Sequence, residues 1–262
     1  MLETRNLTVR FGGHVAVDGV SCAFQAGSLT AIVGPNGAGK TTYFNLISGQ
    51  LKASAGSVSL QGKDISRLPP AARSLQGLGR AFQLTQLFAG LTVLENVRLA
   101  VQAQRKAGLN LWSLWSDQQA ITERAEELLA AVNLSDRRKT LASSLPHGDQ
   151  RKLEVALLIA LEPTVFMFDE PTAGMSVDDV PVILDLIRNL KTRKDKTILL
   201  VEHKMDVVRE LADRIVVLHN GKLVADGDPA SVIASSVVQE AYLGLNPTLT
   251  AASLSATSEE SL

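Results

Sequence analysis

A glycine-rich segment between an apolar run and a helical stretch constrains the fold of this chain more than any other feature. Residues 34–41 read Gly-Pro-Asn-Gly-Ala-Gly-Lys-Thr and satisfy the pattern G-x-x-x-x-G-K-[ST]. The apolar run 29–33 in front of it predicts a strand, and we expect a helix to begin at Gly39–Lys40 and to end near Gly49. A strand, a glycine loop and a helix in this order predict a phosphate-binding loop within an α/β fold.

The residue types in this loop explain how it would hold a polyphosphate. Its glycines let backbone N–H groups converge on phosphate oxygens, and the following helix directs its positive end at them. Lys40 reaches the outer phosphates, and Thr41 is a suitable ligand for Mg²⁺. A chance glycine turn is the alternative, which the flanking strand and helix disfavour. The predicted phosphate contacts are Gly34, Asn36, Gly37, Ala38, Gly39, Lys40, Thr41 and Thr42.

Two neighbouring acids follow a second apolar run. Asp169 and Glu170 come directly after residues 165–168, at the C-terminal end of a predicted buried strand, where open α/β sheets bind ligands. Because adjacent carboxylates repel each other without a cation, we expect Asp169 to hold Mg²⁺ and Glu170 to orient or deprotonate an attacking water. Taken alone, such a pair would more often cap a helix ahead of Pro171, but the phosphate loop favours the catalytic interpretation.

The composition excludes several classes of protein. With 26 basic and 27 acidic residues, the chain has no overall field for nucleic acid or an anionic membrane. The longest apolar run, 155–161, is far shorter than the ~20 residues that span a bilayer, and the N-terminus lacks the layout of a signal peptide. The single cysteine, Cys22, lies in an alternating apolar stretch and predicts a buried strand thiol. We therefore expect a cytosolic chain that meets any membrane through partners.

Hydrophobic patterns divide the rest of the chain. Short apolar runs at 7–11, 15–24 and 29–33 predict strands, and apolar runs alternate with helical stretches again between residues 165 and 218. This alternation predicts a mostly parallel sheet with helices on its faces. Residues 91–161 have helical periodicity and predict a separate helical subdomain. Residues 246–262, rich in Ser, Thr and Ala, predict a poorly ordered tail.

The loop and the acidic pair resemble those of the ATP-binding subunits of ATP-binding cassette (ABC) transporters, and the resemblance extends from Met1 to Gly244. It implies a P-loop NTPase (RecA-like) core with a mostly parallel sheet, N-terminal antiparallel β strands and an inserted α-helical subdomain. The ATP-binding core would comprise residues 1–84 and 162–245, the helical signature subdomain 85–161, and the flexible tail 246–262. The implied cofactors are ATP and Mg²⁺.

Further family markers occur in the expected order. Phe11 resembles the aromatic residue that stacks on adenine, and the resemblance also implies a nucleotide contact at Val17. Gln83 matches the glutamine that contacts Mg²⁺ and the attacking water, and His203 matches the switch histidine that contacts the γ-phosphate. Taken alone, Phe11 would more often be a core aromatic, Gln83 a surface amide and His203 a strand-end histidine without a catalytic role. The resemblance implies catalytic roles for Glu170, His203 and Gln83, and metal ligation by Thr41, Gln83 and Asp169.

A signature segment completes the set. Residues 145–150 read Leu-Pro-His-Gly-Asp-Gln and resemble the segment that closes over the γ-phosphate of the opposite subunit. The resemblance implies nucleotide contacts at Leu145, His147 and Gly148, and a head-to-tail dimer with a second ABC ATPase subunit. The usual signature serine is Pro146 here, which removes one side-chain contact to the phosphate.

The loop through which the two subunits communicate resembles residues 173–176. It ends in Ser176, where the family commonly has an aspartate, so a charge that often crosses the interface is missing. Together with the signature proline, this difference leaves ATPase activity expected but affects its rate and cooperativity.

Details of the sequence resemble the branched-chain amino-acid uptake branch of the family. They are the segments 82–88, 148–151, 201–205 and 241–244, and an insertion at 106–117 that contains Trp112 and Trp115. The alternatives are importers of urea, amides or aromatic acids, a lipid exporter and, least favoured, a soluble ABC ATPase that moves nucleic acid or ribosomes. The stretch between Lys40 and Asp169 leaves no room for the long coiled-coil arms of such proteins.

The resemblance also implies partners and a location. We expect two integral membrane permease subunits, an extracytoplasmic substrate-binding protein and no nucleic acid. The second ATPase subunit would form a homodimer or a heterodimer with this chain. The chain would lie as a peripheral subunit on the cytoplasmic face of the inner (plasma) membrane.

Overall fold

The computed structural model describes residues 1–81, 87–105, 116–235 and 238, and its strands form two sheets. The strands are β1 (Leu2–Phe11), β2 (His14–Phe24), β3 (Ser28–Val33), β4 (Ala55–Leu60), β5 (Lys63–Asp64), β6 (Leu78–Ala81), β7 (Val165–Asp169), β8 (Thr197–Val201), β9 (Arg214–His219) and β10 (Lys222–Gly227). The helices are α1 (Lys40–Ser48), α2 (Pro70–Leu75), α3 (Val93–Gln104), α4 (Ser116–Ala131), α5 (His147–Ala160), α6 (Val180–Lys191), α7 (Met205–Leu211) and α8 (Pro229–Ala234).

The larger sheet has six strands in the order β10-β9-β3-β8-β7-β6. The strands from β9 to β6 run parallel to one another, whereas β10 pairs antiparallel with β9. Every residue of β7 and β8 is buried, as parallel strands require when helices cover both faces of a sheet. The mostly parallel sheet confirms the α/β fold class that the sequence predicts.

Alternate side chains of this sheet enter two different cores. Leu199 of β8 belongs to the same core as Phe44 and other apolar residues of α1. Its neighbour Ile198 points to the opposite face and belongs to a core with Ile183 of α6. Because the side-chain period of a strand is two, each strand joins the helices on both faces into one unit.

The smaller sheet is antiparallel, with the strand order β2-β1-β4-β5. Its central strand, β1, begins at Leu2, earlier than the strand predicted at residues 7–11, because Leu2 pairs with both Phe24 and Leu60. The buried Thr4 hydroxyl lies 2.7 Å from the hydroxyl of Tyr43 in α1. This contact ties the polar start of the strand to the helix that follows the phosphate loop.

The helical stretch predicted at residues 91–161 contains α3, α4 and α5. Helix α3 begins with a capping box, in which Thr92 accepts from the backbone N–H of Glu95 and the Glu95 carboxylate accepts from the backbone N–H of Thr92. The three helices bury one shared apolar core, which includes Val93, Val97, Ile121, Ala125, Leu129, Leu153 and Ala156. None of the helices in the described part of the chain is long and apolar enough to cross a bilayer.

Several short elements were not predicted from the sequence. Strand β6 reads Leu-Gly-Arg-Ala and lacks β-branched residues, so its propensity for strand is weak. The strand forms because Gly79 packs closely on Leu158 and Pro163, where a Cβ atom would lie 2.6 Å from each. Helices α2 and α8 and strand β10 were also missed. The insertion at 106–117 lies almost wholly, and the tail 246–262 and the segment 241–244 wholly, outside the described residues.

Candidate nucleotide-binding and catalytic site

A cavity of about 260 Å³ lies beside the phosphate loop, where β7 and β8 end. Its lining residues come from β2, the loop after β3, the start of α1 and the ends of β7 and β8: His14, Ala16, Asn36, Gly37, Ala38, Gly39, Lys40, Thr41, Thr42, Glu170 and His203. The structure therefore brings the predicted phosphate loop, the predicted base and the predicted switch histidine together around one space.

The path of the phosphate loop depends on two glycines. Gly34 has φ +154°, and a Cβ atom there would lie 2.1 Å from the carbonyl oxygen of Leu218 in β9. Gly39 has φ +96°, and a Cβ atom there would lie 2.5 Å from the carbonyl oxygen of Ala16 in β2. The loop is thus threaded between the two sheets, and only residues without a side chain fit at these positions.

The lysine of the loop is buried and folds back on the loop backbone. Lys40 Nζ donates hydrogen bonds to the carbonyl oxygens of Gly34, at 2.7 Å, and Pro35, at 3.0 Å. Burial lowers the pKa of Lys40, while the charges of Glu170 and Asp169 act in the opposite direction. The ammonium group therefore lies between the loop and the acidic pair, where a polyphosphate would find a cation.

The start of α1 offers further hydrogen-bond donors. Gly39 occupies the N-cap position, and within the described residues no side chain caps the first turn of this helix. The N–H groups of that turn border the cavity together with Thr41 and Thr42. Uncapped helix N-termini bind phosphate groups well, so these residues fit a nucleotide polyphosphate.

Asp169 is held by an arginine that the sequence analysis missed. Arg80 of β6 donates from one guanidinium nitrogen to Asp169 Oδ2 at 2.7 Å, and the side chains are only 5% and 6% exposed. The second nitrogen donates to Asn45 Oδ1 at 2.7 Å, Ser48 Oγ at 3.0 Å and Gln50 Oε1 at 2.9 Å. The guanidinium carbon also lies 5.5 Å from the centre of the Phe44 ring. Arg80 thus connects α1 to the end of β7.

The Asp169 carboxylate is under two opposing influences. Burial raises its pKa above the usual value, and the Arg80 guanidinium acts to lower it. A buried carboxylate beside a cation and the Thr41 hydroxyl of the cavity wall are oxygen donors of the kind that Mg²⁺ prefers. The donor set fits the predicted metal, although Gln83, the third predicted ligand, lies outside the described residues.

Glu170 and His203 lie in contact with each other on the wall of the cavity. His203 Nε2 lies 2.5 Å from Glu170 Oε1, and both side chains are more than a third exposed. Glu170 has φ +51°, a left-handed conformation that is uncommon outside glycine, and its N–H donates to the carbonyl oxygen of Val201. The adjacent strand ends therefore fix both backbones while leaving both side chains accessible.

A second carboxylate, Glu202, supports this pair from below. It is 3% exposed, and it accepts hydrogen bonds from the Thr172 hydroxyl at 2.6 Å and from the backbone N–H of His203 at 2.8 Å. Glu202 thereby joins the chain after β7 to the chain after β8. The sequence analysis gave Glu202 no role. A charged residue at the end of an apolar strand and next to the predicted switch histidine was a usable signal.

Phe11, which is predicted to stack on adenine, and Val17, a predicted nucleotide contact, lie in the β1–β2 hairpin. Phe11 pairs with His14 where the two strands meet, and its side chain is 51% exposed. His14 lines the cavity, a position that its neighbouring glycines did not suggest. Val17 is fully buried in the core, and one of its methyl groups would lie 3.6 Å from a Cβ atom at Gly39. Val17 therefore supports the phosphate loop from beneath.

The signature segment lies at the start of α5, away from the lining of this cavity. Pro146 occupies the N-cap position, His147 is exposed and Leu145 is buried in the helical core. A Cβ atom at Gly148 would lie 3.8 Å from Asp179 Oδ2, and one at Gly174 would lie 3.9 Å from His147 Nδ1. The start of α5 thus adjoins the loop that follows Glu170 in the same chain.

A phosphate loop at the end of a parallel strand, with a carboxylate–histidine pair beside it, defines a nucleotide-binding domain of the P-loop NTPase class. The chain belongs to the ABC transporter family, whose family model matches residues 17–173.

Similar proteins of known name fit this assignment. The chain is 36% identical over 249 residues to the high-affinity branched-chain amino acid transport ATP-binding protein LivG of Salmonella typhimurium, covering 93% of this chain and 98% of the relative. It is also 36% identical over 250 residues to BraF of Pseudomonas aeruginosa, with the same coverage of both chains. The matches confirm the family that the sequence motifs indicated.

Solved structures confirm the fold. A crystal structure of a nucleotide-free ATP-binding cassette from an ABC transporter superposes with a TM-score of 0.77 at 31% identity, covering 94% of this chain and 99% of that chain. A cassette of an ABC transporter in its ADP conformation gives a TM-score of 0.76 at 31% identity, with the same coverage. The core, the antiparallel sheet and the helices together therefore form an ABC cassette.

Proposed function

We propose that this chain is the ATP-binding and ATP-hydrolysing subunit of an ABC importer, which powers the uptake of branched-chain amino acids or related small polar or amphipathic solutes. The observation that carries the proposal is the Glu170–His203 pair on the wall of the phosphate-loop cavity. The similarity to LivG and BraF, which are named as ATP-binding proteins of branched-chain amino acid transport, supports the substrate class.

The phosphate loop would bind the polyphosphate of ATP. Lys40 and the uncapped N–H groups of α1 supply positive charge and donors to the phosphate oxygens. Thr41, Asp169 and Gln83 would hold Mg²⁺, which neutralises charge on the transferred phosphoryl group when it is bound. Phe11, exposed at the tip of the hairpin, would stack on the adenine ring.

The carboxylate of Glu170 would orient the attacking water and accept its proton. General bases act within hydrogen-bond reach of the proton they remove, and the exposed carboxylate on the cavity wall meets this requirement. His203 holds the carboxylate and would contact the γ-phosphate, while Glu202 fixes the His203 backbone. This division leaves the chemistry to Glu170 and the positioning to the strand ends.

A second cassette would complete the site. Leu145, His147 and Gly148 belong to the start of α5, which adjoins the loop after Glu170 and not the phosphate loop. The start of this helix has a positive dipole end, which would face the γ-phosphate held by a second chain. We therefore propose a head-to-tail dimer, with an identical chain or a sister ATPase.

Substitution of the proposed base tests this function. Glu170→Gln is expected to bind ATP and to form an ATP-dependent dimer, while steady-state hydrolysis falls by about 10²–10⁴-fold because the amide cannot accept a proton. Phosphate release and analytical ultracentrifugation measure the two effects. Glu126→Gln on α4 is the matched control, since Glu126 is half-exposed there and about 0–1 kcal/mol is expected of its ion pair with Arg138. Normal hydrolysis by Glu170→Gln would refute the proposal.

The partners follow from the proposed transport role. Two integral membrane permease subunits would anchor the cassettes at the cytoplasmic face of the inner (plasma) membrane, and an extracytoplasmic binding protein would deliver the substrate. Purification from membranes tests this assignment, because co-purifying permease subunits support it, while bound nucleic acid or a solitary soluble chain contradicts it. The ligand of the accompanying binding protein would separate branched-chain amino acids from urea, amides or aromatic acids.

A further inference from the structure

A buried lysine joins the start of α5 to the loop after β7. Lys152 is 5% exposed, and its Nζ lies 2.8 Å from Asp149 Oδ1, on its own helix, and 2.6 Å from Asp179 Oδ1. Asp179 is the N-cap residue of α6, at the end of the loop that begins with Glu170. A single ammonium group therefore bridges two elements that come from distant parts of the sequence.

The loop side of this bridge contains hydrogen bonds of its own. The Ser176 hydroxyl donates to Asp179 Oδ2 at 2.7 Å, and the backbone N–H of Asp179 donates to Ser176 Oγ at 3.2 Å. The aspartate that the family commonly carries at the position of Ser176 is absent, but a carboxylate occurs three positions later and points inward to Lys152. The Asp179 carboxylate thus forms an ion pair within its own chain.

The charges of the bridge reinforce one another. Burial alone would lower the pKa of Lys152, but its hydrogen bonds to Asp149 and Asp179 outweigh burial and the pKa is raised. The hydrogen bonds of Asp179 to Lys152 and Ser176 lower the pKa of that carboxyl. Lys152 and Asp179 therefore stay charged near neutral pH, and removal of either one leaves the other partly buried without its counter-ion.

The segments joined by the bridge are exposed on one surface. Val177, in the middle of the loop, is 88% exposed. His147 is exposed at the start of α5 and lies beside Gly174 of the loop. This surface contains the residues that the proposed dimer would place against a second cassette.

We infer that Lys152 is a positioning residue that locks the start of α5 to the loop 173–179, so that both segments meet a second cassette as one rigid unit. The inference rests on the proposed head-to-tail dimer. Residues 173–179 belong to the loop that begins at Glu170. The lock therefore connects the start of α5, which would contact the partner's nucleotide, with the base of its own site.

Dimer formation tests the lock. In a Glu170→Gln background, Lys152→Met is expected to weaken ATP-dependent dimerisation by about tenfold or more, with ATP affinity of the monomer unchanged. Lys152→Arg retains the charge and is expected to restore most of the affinity. Asp179→Asn should weaken dimerisation in the same way, and the double variant should dimerise no more weakly than the weaker single variant, since both single variants remove the Lys152–Asp179 contact. Additive losses, or undiminished dimerisation, would overturn the inference.

A second Lys–Asp pair provides the control. Lys191 of α6 lies 2.7 Å from Asp213 Oδ1, remote from the loop 173–179. Lys191→Met and Asp213→Asn are expected to change thermal stability without changing dimerisation. An equal loss of dimerisation in these variants would show a general effect of stability and would overturn the positioning role.

Hydrogen–deuterium exchange on the monomer tests the lock without a dimer. Lys152→Met is expected to speed exchange in both 146–150 and 173–180, because each segment loses its anchor to the other. Unchanged exchange in either segment would overturn the lock. If Glu170→Gln itself does not dimerise, the proposed function fails, and the exchange result still decides whether Lys152 joins the two segments.

Discussion

At the scale of single residues, the site depends on buried charges that face one another. Arg80 and Asp169 lie in adjacent strands, and the side chains of α1 surround the guanidinium group. Glu202 has the same role under the Glu170–His203 pair, since it receives hydrogen bonds from two loops. These contacts hold Asp169 and His203 in place.

Substitution of the buried arginine should therefore be costly. Arg80→Met is expected to lower the free energy of unfolding by about 3–5 kcal/mol, because it leaves Asp169 buried without its partner cation. Urea denaturation measures the change. Arg188→Met, which removes a half-exposed arginine from α6, is the control and is expected to leave the free energy of unfolding nearly unchanged, because solvent screens its ion pairs. An equally small change for Arg80→Met would show that the buried pair adds little.

At the scale of elements, local signals predicted some parts of the fold well and others poorly. Helix α1 lies at Lys40–Ser48, as the glycine loop and the following pattern predicted. Strand β6 was missed because Gly79 and Arg80 have weak strand propensity, and its place depends on contacts with Leu158 and Pro163. Such contacts join residues that are distant in sequence, so a local pattern carries no record of them.

The capping box of α3 is an element with a measurable contribution. Thr92→Ala is expected to lower the free energy of unfolding by about 1 kcal/mol, because the N–H of Glu95 loses its acceptor. Thr122→Ala, at a half-buried position in the middle of α4, is the matched control and should cost nothing, since alanine has the higher helix propensity. Thermal unfolding of both variants measures the difference, and equal midpoints would contradict the capping contribution.

At the scale of the whole molecule, the two sheets share the core in which Cys22 lies. Burial raises the pKa of the Cys22 thiol from 9.0 to about 11. The unfolded chain therefore releases this proton at lower pH than the folded chain does. The contribution of the neutral thiol to stability is present in full below about pH 9 and is lost as the pH rises towards 11.

A comparison of two chains isolates this effect. Between pH 8 and pH 11, the free energy of unfolding is expected to fall by on the order of 2 kcal/mol more for the native sequence than for Cys22→Ala. Urea denaturation at several pH values measures the two slopes, and titratable groups that do not interact with Cys22 cancel between the two chains. Parallel slopes would mean that the folded thiol titrates like the unfolded one.

Most of the whole-molecule architecture was accessible from the sequence. The phosphate loop, the acidic pair and the alternation of strands and helices were sufficient to predict a mostly parallel α/β sheet, which the structure confirms. The sequence did not disclose the supporting roles of Arg80, Glu202 and Lys152, because each of them contacts a residue that is far away along the chain. Charged residues inside apolar segments were the one available signal.

The Arg80 contacts also limit how this molecule can be redesigned. Because one planar group binds α1 on one side and the end of β7 on the other, it acts as a spacer of fixed width between them. A variant that widens the cavity for a bulkier nucleotide by shifting either element would lose the Arg80 hydrogen bonds, even if the phosphate loop itself were unchanged. Successful variants should therefore alter the hairpin around Phe11 and His14, which this spacer does not hold.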